Sequence, residues 1–181
     1  MRIKQKITLR SLTNLIFYPN LFAGGEAEVE FAELAEAEKY AVEKISQTKD
    51  GFRKYVRALD LGDGEFRNIK RGDYIVRNAP QVEVEVKCLT PRPELRGGLS
   101  YTMKYRELKG LENMSRLTGV PVLIAIFERD GRGPKADSLK MVTLDDVLGK
   151  RTGGFYCKRR RVLTIPLAAM RDGLSLLMGG R

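Results

Sequence analysis

QVEVEVKCLT, residues 81–90, decides the fold, because its side chains alternate in character with a strict period of two. Three valines fall on one side of an extended chain, and Glu83, Glu85 and Lys87 fall on the other. This alternation predicts a β-strand whose valine face packs on a core. The charged face has two interpretations. It is either an ordinary solvated surface, or it carries an E-x-K pair that belongs to a metal-dependent active site.

Charge and composition limit the chemistry. The chain has 181 residues and a net charge of +10, which favours a polyanionic partner such as nucleic acid. It contains no histidine, which excludes Ser-His-Asp hydrolases, HExxH metalloproteases and His-dependent nucleases. Its two cysteines, Cys88 and Cys157, form no C-x-x-C pair, which fits a reducing cytoplasm. Any catalysis must therefore use carboxylates, lysine, hydroxyls and hard metal ions.

The order of segments predicts an α/β protein with a sheet and helices packed on it. No apolar run approaches the ~20 residues of a membrane helix, and no secretory signal is visible. The expected elements are a strand within 2–10, a helix over 26–46, strands within 51–62, 72–78 and 81–90, a loop over 90–100, a helix over 103–119 closed by Gly119, a strand over 120–128, a strand and short helix within 138–150, and a last strand within 151–170.

Asp73 is the expected partner of Glu85. If the strand that Asp73 opens forms an antiparallel hairpin with 81–90 through a three-residue loop at 78–80, then Asp73 falls directly opposite Glu85. Opposed residues share one face, with Cβ atoms roughly 4.5–5.5 Å apart. Two carboxylates at that distance repel each other unless a proton or cation lies between them, and Mg²⁺ or Mn²⁺ is the natural cation here. Lys87 leaves the same face, where its ammonium can orient water or stabilise developing negative charge.

Similarity to a known family extends beyond the E-x-K triplet. GGEAEVEFAELAE, GDYIV, VEVK and YRELKGLENMSRLTGVPVLIAIFE follow one another from Gly24 to Phe127. In order and spacing they resemble the PD-(D/E)XK nucleases, and most of all the archaeal Holliday junction resolvases. The matching positions are Glu28, Asp73, Glu85 and Lys87. The first acidic motif departs from the family pattern, because it reads Gly-Asp where the family has Pro-Asp.

The resemblance implies a restriction-endonuclease-like fold, a central mixed β-sheet flanked by helices with an αβββαβ core. It implies a Mg²⁺-dependent endonuclease, with Mn²⁺ as a substitute. The implied catalytic residues are Glu28, Asp73, Glu85 and Lys87. Asp73, Glu85 and the main-chain carbonyl of Val86 are the implied metal ligands, with Glu28 reaching the ion through water.

The chain is expected to be one nuclease domain over residues 1–181. Its core covers about 24–128, with an N-terminal extension over 1–23 and a basic C-terminal extension over 129–181. Phosphate contacts are expected from basic residues that follow the E-x-K strand and from the densest basic run in the tail. These residues are Arg92, Arg96, Lys104, Arg106, Lys109, Lys158, Arg159, Arg160 and Arg161.

The leading functional hypothesis is a resolvase-like DNA endonuclease, expected to be a homodimer because symmetric cuts in two strands need two sites. Two alternatives remain open. One is a restriction-type or repair nuclease that acts on duplex or branched DNA. The other is a non-catalytic nucleic-acid-binding module that keeps the fold and the basic surface.

Overall fold

The computed structural model describes residues 19–45, 55–59, 66–78, 81–94, 97–131, 133–149, 151–152, 154, 156–159 and 161–178. The strand expected within 2–10 lies outside these ranges. The described elements are, in chain order, α1 (Pro19–Ala37), β1 (Val42–Lys44), β2 (Tyr55–Leu59), β3 (Phe66–Lys70), β4 (Tyr74–Val76), β5 (Val82–Leu89), β6 (Arg92–Pro93), β7 (Leu99–Lys104), α2 (Tyr105–Thr118), β8 (Val122–Asp130), β9 (Gly133–Pro134), β10 (Lys140–Thr143), α3 (Leu144–Leu148), β11 (Tyr156–Cys157), β12 (Val162–Pro166), a 3₁₀ turn (Leu167–Ala169), β13 (Arg171–Asp172) and α4 (Ser175–Met178).

The main sheet is mixed, as predicted. Its strands follow the order β1-β4-β5-β8-β10-β13, and β9 adds to β8. β5 and β8 run parallel, because α2 lies between them and carries the chain back across the sheet. The neighbouring strands pair antiparallel. Among the described helices, none is both long and apolar enough to span a bilayer.

Helix α1 packs on one face of this sheet through a stripe of buried residues four positions apart. These residues are Ala23, Ala27, Phe31 and Ala35. Spacing of four places side chains on one side of a helix, and three of the four are small enough to let the helix approach the sheet closely. The helix begins at Pro19, earlier than predicted, and proline is well suited to the first turn of a helix.

The predicted helix over 26–46 is wrong beyond Ala37. Lys39 has a positive φ of 64°, and the N–H of Tyr40 donates to the carbonyl of Ala35 at 2.9 Å, which closes the helix. Residues Val42–Lys44 then pair with β4 as an edge strand. Helix propensity alone extended the prediction, but sheet pairing outweighs propensity over these residues.

The valine face of β5 is buried under α1, as the alternation predicted. The opposite face of the sheet, which carries Glu83, Glu85 and Lys87, lies on the side of α2. There Ile124 and Ile126 of β8 pack with Leu108 and Leu111 of α2. The two faces of β5 therefore separate an apolar core from a charged region.

A second, antiparallel sheet of order β11-β12-β7-β6 was not predicted as such. Residues 99–104 form β7, where a loop followed by the start of a helix was expected, and α2 begins only at Tyr105. The partner of β7 is β12, and Met103 pairs with Leu163, 60 positions further along the chain. Sequence patterns do not reveal so distant a pairing. The predicted end of α2 at Gly119, which has a φ of 70°, is confirmed.

Candidate active site

The hairpin of β4 and β5 has the register that the sequence predicted. Tyr74 pairs with Val84, in the register that the prediction used, and Asp73 lies in a bend one residue before this ladder. The N–H of Asp73 donates to the carbonyl of Val84 at 2.8 Å. Its Oδ2 accepts the N–H of Val86, also at 2.8 Å. These hydrogen bonds hold the Asp73 carboxylate against β5, next to the E-x-K motif.

Glu83, on the same face, has a structural role. Its Oε2 accepts the N–H of Gly72 at 2.9 Å, and its Oε1 accepts both Nε and Nη2 of Arg71. The chain at Gly72 runs so close to β5 that a Cβ there would lie 2.8 Å from the carbonyl oxygen of Val84. The Gly-Asp motif therefore has a physical reason. A proline at Gly72 would have no N–H for Glu83 and would bring carbon atoms into that contact.

Two lysines share one oxygen of Glu85. The ammonium groups of Lys70 and Lys87 both donate to its Oε1. The Glu85 side chain is 0% exposed and that of Lys70 is 1% exposed, whereas Lys87 is 23% exposed. A carboxylate buried this deeply is tolerated because cations surround it.

Lys70 is a site residue that the sequence reasoning missed. It is the last residue of β3, and its Cβ lies beneath α2, where a Cβ on Gly110 would approach it to 2.9 Å. β3 was not predicted, so a lysine three positions before Asp73 had no assigned place. Gly110 leaves room for Lys70 beneath α2, but this relation between the two residues is visible only in the packed structure.

Lys87 is held in its charged form. Burial lowers its pKa, but the neighbouring Glu85, Asp73 and Glu107 outweigh burial and raise the pKa well above the usual lysine value. A lysine whose pKa is raised keeps its proton at neutral pH and so cannot serve as a general base. What Lys87 offers at this site is a positive charge and hydrogen-bond donors.

The donor types at this site suit a hard divalent cation. Asp73 and Glu85 supply carboxylates from adjacent strands, and Glu85 already attracts two ammonium groups. Within the described ranges, no three His, Cys, Asp or Glu side chains are grouped so that they could hold a metal ion together. Asp73, Glu85, the Val86 carbonyl and Glu28 therefore all stay predictions as ligands of Mg²⁺.

Glu28 and Lys87 line the same cleft, which has a volume of about 620 Å³. Glu28 reaches it from α1, on the other side of β5 from α2. Its Oε2 lies 3.1 Å from Nζ of Lys44, and its main-chain carbonyl accepts the hydroxyl of Tyr74 at 2.8 Å. These contacts fix the α1 wall of the cleft. The cleft is therefore lined both by α1, through Glu28, and by β5, through Lys87.

The cleft wall is mainly basic. Arg92 and Lys104, both predicted to contact nucleic acid, line it together with Lys87 and Arg129. Arg129 was missed, although it lies near the end of β8, which runs parallel to β5, so that both strands end at one edge of the sheet. Glu107 is the acidic member contributed by α2.

The remaining predicted contacts lie away from this wall or outside the described residues. Arg106 is exposed on α2, and Lys109 forms an ion pair there with Glu112. Lys158, Arg159 and Arg161 are exposed in the turn between β11 and β12. The carbonyl of Arg161 accepts the N–H of Tyr105 at 3.0 Å, which ties this basic turn to the start of α2. Arg96 and Arg160 lie outside the described residues.

The fold is similar to that of a solved structure. That structure is Hjc, a Holliday junction resolvase from the archaeal hyperthermophile Archaeoglobus fulgidus. The similarity has a TM-score of 0.50 with 12% sequence identity, and it covers 86% of this chain and 95% of that one. The expected fold class, a central mixed sheet flanked by helices, is therefore confirmed. No protein-family model and no curated protein sequence matches the chain.

Proposed function

We propose that this protein is a Mg²⁺-dependent DNA endonuclease that hydrolyses phosphodiester bonds in branched DNA, in the manner of a Holliday junction resolvase. One observation carries the proposal: Lys87, which lines a cleft with basic residues, contacts Glu85 on β5, and the Asp73 carboxylate is held against the same strand at Val86. The resolvase-like fold supports it.

Each member of the site has a distinct task in this proposal. Asp73 and Glu85 would hold the metal ion, which, when bound, lowers the pKa of a water molecule and neutralises charge on the phosphate. The Val86 N–H keeps the Asp73 carboxylate turned toward β5. The ammonium of Lys87, fixed in the charged state, donates hydrogen bonds to the oxygen on which negative charge develops.

Substrate binding is assigned to the cleft wall. Arg92, Lys104 and Arg129 would contact phosphates, which explains affinity for nucleic acid without sequence preference. Branched DNA is preferred over linear duplex because the fold relative acts on a four-way junction. Two symmetric cuts need two copies of the site, so the active form is proposed to be a homodimer.

One observation favours the non-catalytic alternative. The Glu85 side chain has no solvent exposure, and both Lys70 and Lys87 donate to one of its oxygens. A carboxylate neutralised in this way binds a metal ion only if it exchanges a lysine contact for the ion. A module that binds nucleic acid without cutting it would need no such exchange.

Cleavage of labelled DNA separates these readings. Purified protein is incubated with a four-way junction, linear duplex and single strands, with Mg²⁺, Mn²⁺ or EDTA. The test variant is Glu85→Gln, which keeps the size of the side chain and its contacts to the lysines. The control is Asp172→Asn, which removes an acid of the same class from an exposed pair with Lys140 at the edge of the sheet.

The proposal expects metal-dependent cutting of the junction by the wild type and by Asp172→Asn. Glu85→Gln should lose at least about 10²-fold in kcat while it still binds DNA. Binding without cutting in either metal would establish the non-catalytic module. Equal cutting of duplex and junction would leave a nuclease but exclude the resolvase assignment.

A further inference from the structure

Lys70 and Lys87 contact the same oxygen of Glu85 but occupy different environments. Lys87 lines the cleft and is partly exposed. Lys70 does not line the cleft, and its side chain is 1% exposed. A nucleic acid in the cleft therefore meets Lys87, whereas Lys70 contacts the site only from within the protein.

The place of Lys70 is built into the fold. Its backbone ends β3, and α2 covers it at Gly110, where any larger residue would press on the lysine stem at 2.9 Å. A buried ammonium is costly unless it is paired and hydrogen-bonded, and Glu85 is a partner with no exposure of its own. The two side chains thus form an ion pair that is closed off from solvent.

A fixed ammonium at Glu85 also affects any other cation that approaches this carboxylate. It occupies coordination space at Oε1, and it repels a divalent ion across a short distance in a poorly screened region. The Lys70 side chain is 1% exposed, so its ammonium lies in the protein interior. Lys87, in contrast, can turn toward solvent through the cleft.

We propose that Lys70 is a positioning residue: a permanent internal cation that orients the Glu85 carboxylate and weakens its hold on a divalent metal ion. The inference rests on the proposed function for the identity of Glu85 as a metal ligand. It adds to the four motif residues a buried lysine that modulates the metal affinity of Glu85. Release of the metal after each cut is the step that such a cation would favour.

The test measures Mn²⁺ binding without DNA, by titration calorimetry at constant ionic strength. Wild type is compared with Lys70→Gln, which removes the charge but keeps a donor for Glu85. Lys140→Gln is the control, because it removes the same charge from an exposed ion pair with Asp172. Circular dichroism checks each fold, and Lys70→Met replaces Lys70→Gln if that variant does not fold.

Loss of the Lys70 charge should tighten Mn²⁺ binding by about tenfold, and Lys140→Gln should change it by less than about twofold. Addition of Glu85→Gln to Lys70→Gln should abolish the gain. An unchanged Mn²⁺ affinity in Lys70→Gln would overturn the inference, even if the wild type cuts DNA. Conversely, Mn²⁺ binding that is tighter in Lys70→Gln than in the wild type and in Lys140→Gln would support the inference. That result would hold even if no variant cuts DNA and the proposed function fails.

Discussion

Replacement of Glu85 by an apolar residue should lower the free energy of unfolding far more than the loss of one surface carboxylate would. In Glu85→Leu, Lys87 can turn into the cleft, but Lys70, which is 1% exposed, cannot reach water. An ion pair in contact at an effective dielectric constant of about 20 is worth about 4 kcal/mol. Removing one partner of a buried pair costs about 3–5 kcal/mol, a large part of the stability of a domain. We therefore expect Glu85→Leu to lose about 3–5 kcal/mol of unfolding free energy.

The double variant Lys70→Met/Glu85→Leu tests the reason for this loss. It replaces both charges by apolar groups of similar volume, and we expect it to recover to within about 1–2 kcal/mol of the wild type. Urea unfolding followed by far-UV circular dichroism measures these values, because the chain contains no tryptophan. The matched control is Glu43→Leu, which breaks an exposed pair with Arg77 and should cost less than about 1 kcal/mol. A double variant no more stable than Glu85→Leu would refute the reasoning.

Further predictions concern stability and binding. Tyr101 is fully buried and, within the described residues, its hydroxyl has no hydrogen-bond partner, so Tyr101→Phe should stabilise the fold by about 1 kcal/mol in urea unfolding. Burial raises the Tyr101 pKa to about 12, so its neutral form favours folding below pH 10; stability should fall between pH 10 and 12, and less steeply in Tyr101→Phe. Gly25→Ala adds a methyl group in open space within α1 and should raise the thermal unfolding midpoint. Gly72→Ala forces a contact of 2.8 Å with the Val84 carbonyl oxygen and should lower the midpoint by the equivalent of about 1–3 kcal/mol. Equal shifts of the two midpoints would contradict both expectations. Arg129→Gln should reduce the slope of log DNA affinity against log salt concentration by about one. The control Lys140→Gln should leave this slope unchanged. An unchanged slope in Arg129→Gln would show that Arg129 does not contact the phosphates.

The central hairpin was predictable because its information is local. A period of two identified β5, and a short loop limited the possible registers, so simple counting gave the observed pairing of β4 with β5 and brought Asp73 next to the E-x-K strand. The same alternation assigned the valines to the core. The family resemblance added Glu28, since one glutamate among the seven in the predicted helix over 26–46 has no distinguishing pattern of its own.

What the sequence did not reveal depends on contacts between distant segments. The end of α1 and the strand β1 follow from pairing with β4, which overrides helix propensity after Ala37. β7 needs a partner 60 positions away. Lys70 enters the site only because β3, α2 and β5 pack together, and no spacing rule links it to Glu85.

The pairing of β7 with β12 also sets an order of events during synthesis of the chain. Met103 leaves the ribosome well before Leu163, its partner 60 positions later. At roughly 5–20 residues per second, β7 waits about 3–12 s with an unpaired edge. Such an edge can pair with another chain, so these seconds are the interval in which a chaperone would matter most. The wall of the cleft that contains Lys104 and Val162 is completed only when β12 arrives. A chain still attached to the ribosome would therefore complete this cleft only after Val162 has emerged.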